Sequence, residues 1–497
     1  MAINSRIAPG CNARLGKALF AAPALFWTVP GAAQESASQE STADGKIEGA
    51  DVFGQTAPLN PATQFEQPAP PATESAPEQS RDGFSISGQF RVRGEAIGGQ
   101  FRSFGPDSEE LLLLQTRLNA EYKTGDLLLG GEIMDARAYS TADNSTLRQA
   151  EVNALEPLQY WAQYDLGNAL GEGTSTQLKL GQQRMLLGSA RLVNSPLFRN
   201  TSNTYLGLRA DIVRGKTDSL TAFYVLPTAI LPNDVEGYYD NRVEIDRNSF
   251  DLQFMGAFYT RKIADFDLEL YTYYLNERDS PGSQTRDRQV WTPGVRIFRA
   301  PKRGQMDFEV EGIIQRGHAR RTAAATDVTD RDVKAYYLYG EVGYRFDSPI
   351  GPRLAVSATY GSGQDGSEDI TRFDQLFGAI FPDYAPPGLY GPTTLSNVSS
   401  LGADMIWTPG KWTIWNTYRR LRAPEPTDVF GRTAIRNGPN GEVGDQFFLR
   451  ARYPISSKVR FEIGGAWLLK GDFLKEAPSV INENDTRYIY SDLTFVF

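Results

Sequence analysis

Arginine stands at alternate positions in two distant stretches of this chain, Arg91 and Arg93 in FRVRGEA and Arg450 and Arg452 in FLRARYP. A guanidinium offers a planar fork of donors that fits a carboxylate, and alternate residues of an extended strand share one face. Two such forks on one face therefore suit a ligand carrying negative charge. The same alternation puts Arg117, Arg209, Arg345 and Arg460 on polar faces. It also puts Glu95, Glu121, Asp211, Asp251, Asp267, Glu269, Glu309, Glu311, Glu341, Glu462 and Asp492 there. Arginines concentrate near the two ends of the repeating region, and residues 250–310 supply mostly acids. If the first and last strands meet, one wall is positive and the facing wall negative. The competing role for each arginine is to pair with a neighbouring carboxylate and stiffen the wall.

Other chemistries are thinly provided for. One histidine, His318, and one cysteine, Cys11, exclude a Cys/His metal site and an internal disulfide. Ser195 in LVNSPLF lacks a nucleophile elbow and a neighbouring histidine, so hydrolysis has little raw material. No motif for a cofactor is present, and a net charge of −9 implies no general affinity for nucleic acid.

The elements that carry these side chains read as strands. With 23 Tyr, 27 Phe and 47 Gly, the composition suits many strands and tight turns. In FSISGQFRVRGEA, Phe84, Ile86, Phe90 and Val92 alternate with Ser85, Ser87, Gln89, Arg91 and Arg93. About eighteen such segments follow one another from 84–97 and 110–123 to 458–472 and 486–497, among them 175–188 and 247–262. Most are longer than the five or six residues usual in soluble sheets and match what a tilted strand needs to cross a bilayer. Their connections alternate between tight turns such as KTGD and GKTD and long stretches such as 189–203, 228–246 and 363–395. This rhythm predicts an all-β transmembrane antiparallel barrel over 83–497, with short periplasmic turns and long extracellular loops, in the outer membrane of a bacterium. Two segments break parity. Glu132 opposes Asp135 and Arg137 in LLLGGEIMDARAY, and Leu178 and Leu180 share a face with Gln182 and Arg184, so a bulge or an interior end is expected at each.

The last strand runs to Phe497, with Phe495, Leu493 and Ile489 on one face and Thr494, Asp492 and Tyr490 on the other. A strand that reaches the final residue needs a partner, and the first strand supplies one. The terminal aromatic resembles the signal read by outer-membrane assembly machinery. Ahead of the barrel, residues 1–33 read as a secretory signal peptide, with basic residues, the apolar core ALFAAPALFWTV and small residues before Gln34. Residues 34–82, rich in Pro, Ala, Gln and Glu, read as a disordered periplasmic leader.

The stretch LKLGQQRMLLGSARLVNSPLFRNTSNTYLGLRADI, TRLNAEY with the following DARAYS, and FLRARYP resemble the alginate export family of outer-membrane barrels. QQR stands where that family often has a Gly-Arg-Gln triplet. The resemblance implies an eighteen-stranded, monomeric conduit for an anionic polysaccharide. It implies a constriction drawn from Arg91, Arg93, Arg117, Arg137, Arg191, Arg209, Arg450 and Arg452, with Asp135 and Asp211 tempering the field. Lipid, an anionic polysaccharide or sugar acid, and the assembly machinery are the expected partners. Uptake of small anions and a structural barrel with a plugged lumen are the alternatives. Loop 363–395 either folds inward as a gate or stays outside.

Overall fold

A computed structural model describes residues 82–140, 142–280, 283–379, 383–385 and 388–497. The signal peptide and nearly all of the leader expected from the sequence lie outside the described residues. Eighteen strands follow in chain order. They are β1 (Gly83–Gly98), β2 (Ser108–Thr124), β3 (Leu127–Ser140), β4 (Asn153–Gly167), β5 (Thr174–Gln183), β6 (Tyr205–Arg214), β7 (Asp218–Pro227), β8 (Leu252–Ile263) and β9 (Phe266–Glu277). The second half holds β10 (Gln289–Arg299), β11 (Gln305–Ala319), β12 (Arg331–Arg345), β13 (Arg353–Gly361), β14 (Val398–Trp407), β15 (Thr413–Arg422), β16 (Glu442–Pro454), β17 (Val459–Lys470) and β18 (Thr486–Val496). Each pairs antiparallel with its sequence neighbours, and β1 pairs with β18 in the register Phe90↔Phe495, closing the sheet into a barrel. At the seam the Gly88 amide donates to the Phe497 carbonyl at 2.9 Å, and the Phe497 amide donates to the Gly88 carbonyl at 3.0 Å. The C-terminal strand is thus tied down through its last residue, and lipid meets no open sheet edge along the paired length.

The sequence boundaries agree with the structure to within a few residues, with two larger differences. The segment 175–188 ends as a strand at Gln183, where Gln182 and Gln183 are buried and the chain turns into the barrel as a loop. The segment 247–262 becomes a strand only at Leu252, because residues 248–251 form a turn that leaves Phe250 exposed. Asp251 therefore precedes β8 and does not line it.

Alternation sorts the strand residues into two environments. Phe84, Ile86, Leu180, Leu208, Val356, Leu401 and Leu449 are exposed on the outside, where lipid covers them. Tyr488, Tyr490, Asp492 and Thr494 are buried inside, and Ile489 and Phe495 point out. Inside, large rings sit over glycines on the next strand. A Cβ on Gly464 would lie 2.5 Å from the Tyr490 ring that faces it across the β17–β18 pair. Gly294 and Tyr271 repeat the arrangement on β10 and β9.

The bulge expected in β3 lies instead in β4, and β3 keeps its alternation throughout. The β3–β4 register slips on both sides of Met134, and Leu155 adopts a left-handed φ of 53°. Glu132, Met134, Ala136 and Ala138 are buried on the inner face. Asp135 and Arg137 share the outer face with Ile133 and Tyr139, which are exposed. There the Arg137 Nε donates to Asp135 at 2.9 Å, and Asp135 accepts the Leu155 amide freed by the bulge at 3.0 Å.

Connections at one end are short, such as 125–126 between β2 and β3 and 264–265 between β8 and β9. At the other end they are long, above all 184–204 and 362–397, while 228–251 carries the short helix α1 (Val235–Asp240) and 471–485 carries α2 (Asp472–Glu476). The two longest inward loops meet within the barrel. Val193 bridges Phe377, the Phe377 amide donates to Leu192 O at 3.1 Å, and the Ala379 amide donates to Ala190 O at 3.1 Å. Leu192, Val193, Phe198, Phe373, Tyr384 and Tyr390 join Tyr337, Tyr339, Tyr488 and Tyr490 of the wall in one apolar cluster. Loop 363–395 thus folds inward over its described residues.

Candidate functional site

The lumen contains two arginine systems on opposing stretches of wall. Around the closing seam, Arg93 lies 3.0 Å from Asp492 and 3.7 Å from Glu95, with its guanidinium 3.7 Å over the Phe198 ring. Arg91 donates to Leu197 O at 2.8 Å and Arg199 O at 2.9 Å, so β1 holds loop 184–204 by its backbone carbonyls. Arg450 and Arg452 share Glu462, at 2.8 and 2.9 Å, and the Tyr490 hydroxyl donates to the same carboxylate at 3.0 Å. Both guanidinia also face the Trp415 ring, Arg450 at 4.8 Å and Arg452 at 5.5 Å. Farther round, Arg117 at 2.5 Å and Arg184 at 3.2 Å share Glu132. Lys179 stands 3.8 Å over the Trp161 ring, and Arg209 pairs with Asp211 at 2.8 Å.

The opposite wall is built from acids. Glu269 on β9 and Glu309 and Glu311 on β11 are buried, and two arginines answer them. Arg296 reaches Glu269 at 3.0 Å and Glu309 at 3.1 Å. Arg191, delivered by loop 184–204, reaches Glu309 at 2.6 Å, Glu311 at 2.5 Å and Asp383 of the other inward loop at 2.7 Å. Burial opposes its charge, but Asp383, Glu309 and Glu311 hold the Arg191 guanidinium well above its ordinary range. Arg419 donates to Asp383 O at 2.8 Å, which fastens the same loop to β15.

The sequence-predicted residues divide accordingly. Arg91, Arg93, Arg117, Arg450 and Arg452 face the interior on the seam side, and Arg209 and Asp211 on β6 face it between the seam and the acid wall. Arg191 is interior but belongs to the acid wall, as the clasp between two loops. Asp135 and Arg137 are corrected to the outer face, because β3 alternates without interruption and Glu132, Met134, Ala136 and Ala138 take the inner positions. Two further interior cations, Lys179 and Arg296, carry the inward parity of their strands; Arg102, Arg148, Arg199 and Arg432 lie on loops, where no period marks them.

Water reaches the two systems unequally. Side chains of Arg117, Arg209 and Arg452 are 14%, 17% and 14% exposed, against 1% for Arg191 and Arg296. Partly wet cations are thus found at the seam (Arg452), on β2 (Arg117) and on β6 (Arg209), and Arg288 beside Glu277 and Asp374 is 23% exposed as well. Among the described residues no group of three His, Cys, Asp or Glu side chains is placed to hold a metal ion.

A family model described as "Alginate export" matches residues 84–486. No curated protein matches the chain in sequence. Solved structures similar in fold include three from Pseudomonas aeruginosa. OpdK with vanillate has a TM-score of 0.54 at 10% identity, with 84% of this chain and 100% of that one covered. OccK5 (OpdH) has 0.52 at 12%, covering 83% and 98%. OccK2 (OpdF) in complex with glucuronate has 0.51 at 11%, also covering 83% and 98%. The likeness to these structures is one of fold. A closed eighteen-stranded barrel with a lipid-facing outer surface, matched by that family over nearly all its strands, is a bacterial outer-membrane channel, and the chain belongs to the alginate export family.

Proposed function

We propose that the protein is a monomeric, passive channel for carboxylate-bearing sugars, either sugar acids or an alginate-like polyuronate, which move along the seam-side wall. The observation that carries this reading is the unequal access of water: Arg117, Arg209 and Arg452 touch solvent, and Arg191 and Arg296, enclosed by the acids of β9 and β11, do not. An accessible guanidinium exchanges water for a carboxylate at little cost, so each contact is weak and reversible, as passage requires. The inward loops narrow the lumen without contributing an accessible acid at Asp383, which is buried against Arg191 and Arg419. Membership of the alginate export family and a fold shared with a glucuronate complex of OccK2 support a uronate over other anions.

The test is the reversal potential of the purified protein in a planar bilayer under a KCl gradient. Anion selectivity is expected, and it should fall in Arg452→Gln, a variant in which Arg450 still holds Glu462. A cation-selective wild-type pore would refute the reading.

A further inference from the structure

Four loops each carry an arginine to one place above the seam-side wall. Arg102 comes from 99–107, Arg148 from 141–152, Arg199 from 184–204 and Arg432 from 423–441. Backbone bonds between the loops hold them together. The Ser103 amide donates to Thr433 O at 2.9 Å, joining the residues that follow Arg102 and Arg432. The Thr201 amide donates to Ala150 O at 3.2 Å, and Asn200 Nδ2 donates to Glu151 O at 2.8 Å, placing Arg199 beside the Arg148–Glu151 turn.

Among the described residues Glu151 is the carboxylate that meets this cluster, 3.8 Å from Arg148 Nε, while Arg199 also donates to Asn203 Oδ1 at 3.3 Å and Thr201 Oγ1 at 3.1 Å. Glu109, whose charge also reaches Arg102, is engaged by Ser140 at 2.8 Å, by Thr146 at 3.0 Å and by Ser145. Arg102 is buried, and its Nη1 donates to neutral oxygens, Gln100 Oε1 at 3.1 Å and Leu389 O at 2.9 Å. Arg148 Nη2 is buried with no hydrogen-bond partner. No ion pair or side-chain hydrogen bond engages the Arg432 guanidinium among the described residues. Burial and then Arg148, Arg199 and Arg102 push Arg432 well below the ordinary guanidinium range, and burial with Arg148 brings Arg102 to about 9. Like charges brought together by fixed loops, with donors left over, are costly unless an anion completes them.

We propose that Arg102, Arg148, Arg199 and Arg432 form a binding site, separate from the barrel wall, for a solute with two or more carboxylates, such as an oligouronate. The inference rests on the channel reading for its solute class and adds a selection by valence. One carboxylate cannot satisfy guanidinia arriving from four loops; two on adjacent sugar rings can bridge them.

The experiment is calorimetric titration of the full-length protein in detergent with digalacturonate and with galacturonate. The proteins compared are the wild type, Arg148→Ala/Arg432→Ala and Arg148→Lys/Arg432→Lys, each checked for a folded barrel by heat-modifiable electrophoretic mobility. Digalacturonate is expected to bind at least about tenfold more tightly than galacturonate, with that preference lost in the alanine pair and largely restored by lysine. Equal binding of the two ligands, or unchanged digalacturonate binding in the alanine pair, would overturn the site. If the alanine pair does not fold, the single Arg432→Ala variant carries the same comparison. Bilayer recordings on the same preparations separate the two readings: absence of conductance with digalacturonate binding intact removes the channel and leaves the site standing.

Discussion

The acid wall and the closing seam use the same side chain to opposite ends. At the acid wall, Arg191 and Arg296 are outnumbered by Glu269, Glu309, Glu311 and Asp383, and they are sealed from water. At the seam, Arg91, Arg93, Arg450 and Arg452 outnumber Glu95, Glu462 and Asp492; Arg91, Arg93 and Arg450 are buried, and Arg452 alone of the four is partly wet. A guanidinium enclosed by carboxylates is a fastener; one sharing a carboxylate with another guanidinium keeps donors for a passing anion. The ratio of charges, more than the number of arginines, separates structure from transport.

Breaking the fastener should have the largest effect. Arg191→Ala leaves Asp383 and Glu311 without their cation and releases the join between the two inward loops. Removing one partner of a buried pair costs about 3–5 kcal/mol, so the loops should become protease-sensitive and the conductance should rise. Cleavage and current unchanged from wild type would mean that apolar packing alone holds them. Arg296→Met comes next, because among the described residues Arg296 is the one ion-pair partner of Glu269, whereas Arg450→Met leaves Glu462 with Arg452 and Tyr490. Urea unfolding from liposomes should show the Arg296 variant losing more, by about 1–3 kcal/mol; the reverse order would erase the distinction drawn between the walls.

Sharpening the comparison needs gentler changes. Glu462→Gln frees Arg450 and Arg452 together and should shift the reversal potential further toward anions, a shift of the opposite sign to that of Arg452→Gln. The smallest effect expected is one of pH. Burial, against Arg148 and with Glu95 nearby, raises Glu151 to about 6. Above that value it is ionised and offsets the loop arginines; below it the carboxyl is neutral. Digalacturonate affinity should therefore strengthen as pH falls from 7.5 to 5, and Glu151→Gln should abolish the dependence.

The strands were legible because lipid and lumen impose opposite demands on alternate residues. That alternation placed Arg93, Arg450 and Asp492 on the inner face, and it also located the seam, since Ile489 and Phe495 of β18 repeat the outward parity of Phe90. It was misapplied at Asp135 and Arg137: β3 alternates without a break, and a regular count from Glu132 puts both of them on the outer face. It was silent about loops. Nothing periodic links Arg148 to Arg432; only loops folded together across the barrel do so. Arg191 was found by resemblance, but its role depends on Glu309 and Asp383, which arrive from elsewhere in the chain.

The missing side chain at Gly464 works as a calibration mark. Since the Tyr490 ring occupies the space a methyl group would need, enlarging position 464 step by step should swing that ring toward the axis and trim the bore without adding or removing any charge. Because the Tyr490 hydroxyl donates to Glu462, the same swing would loosen the carboxylate that Arg450 and Arg452 share, so calibre and charge are geared together at this ring.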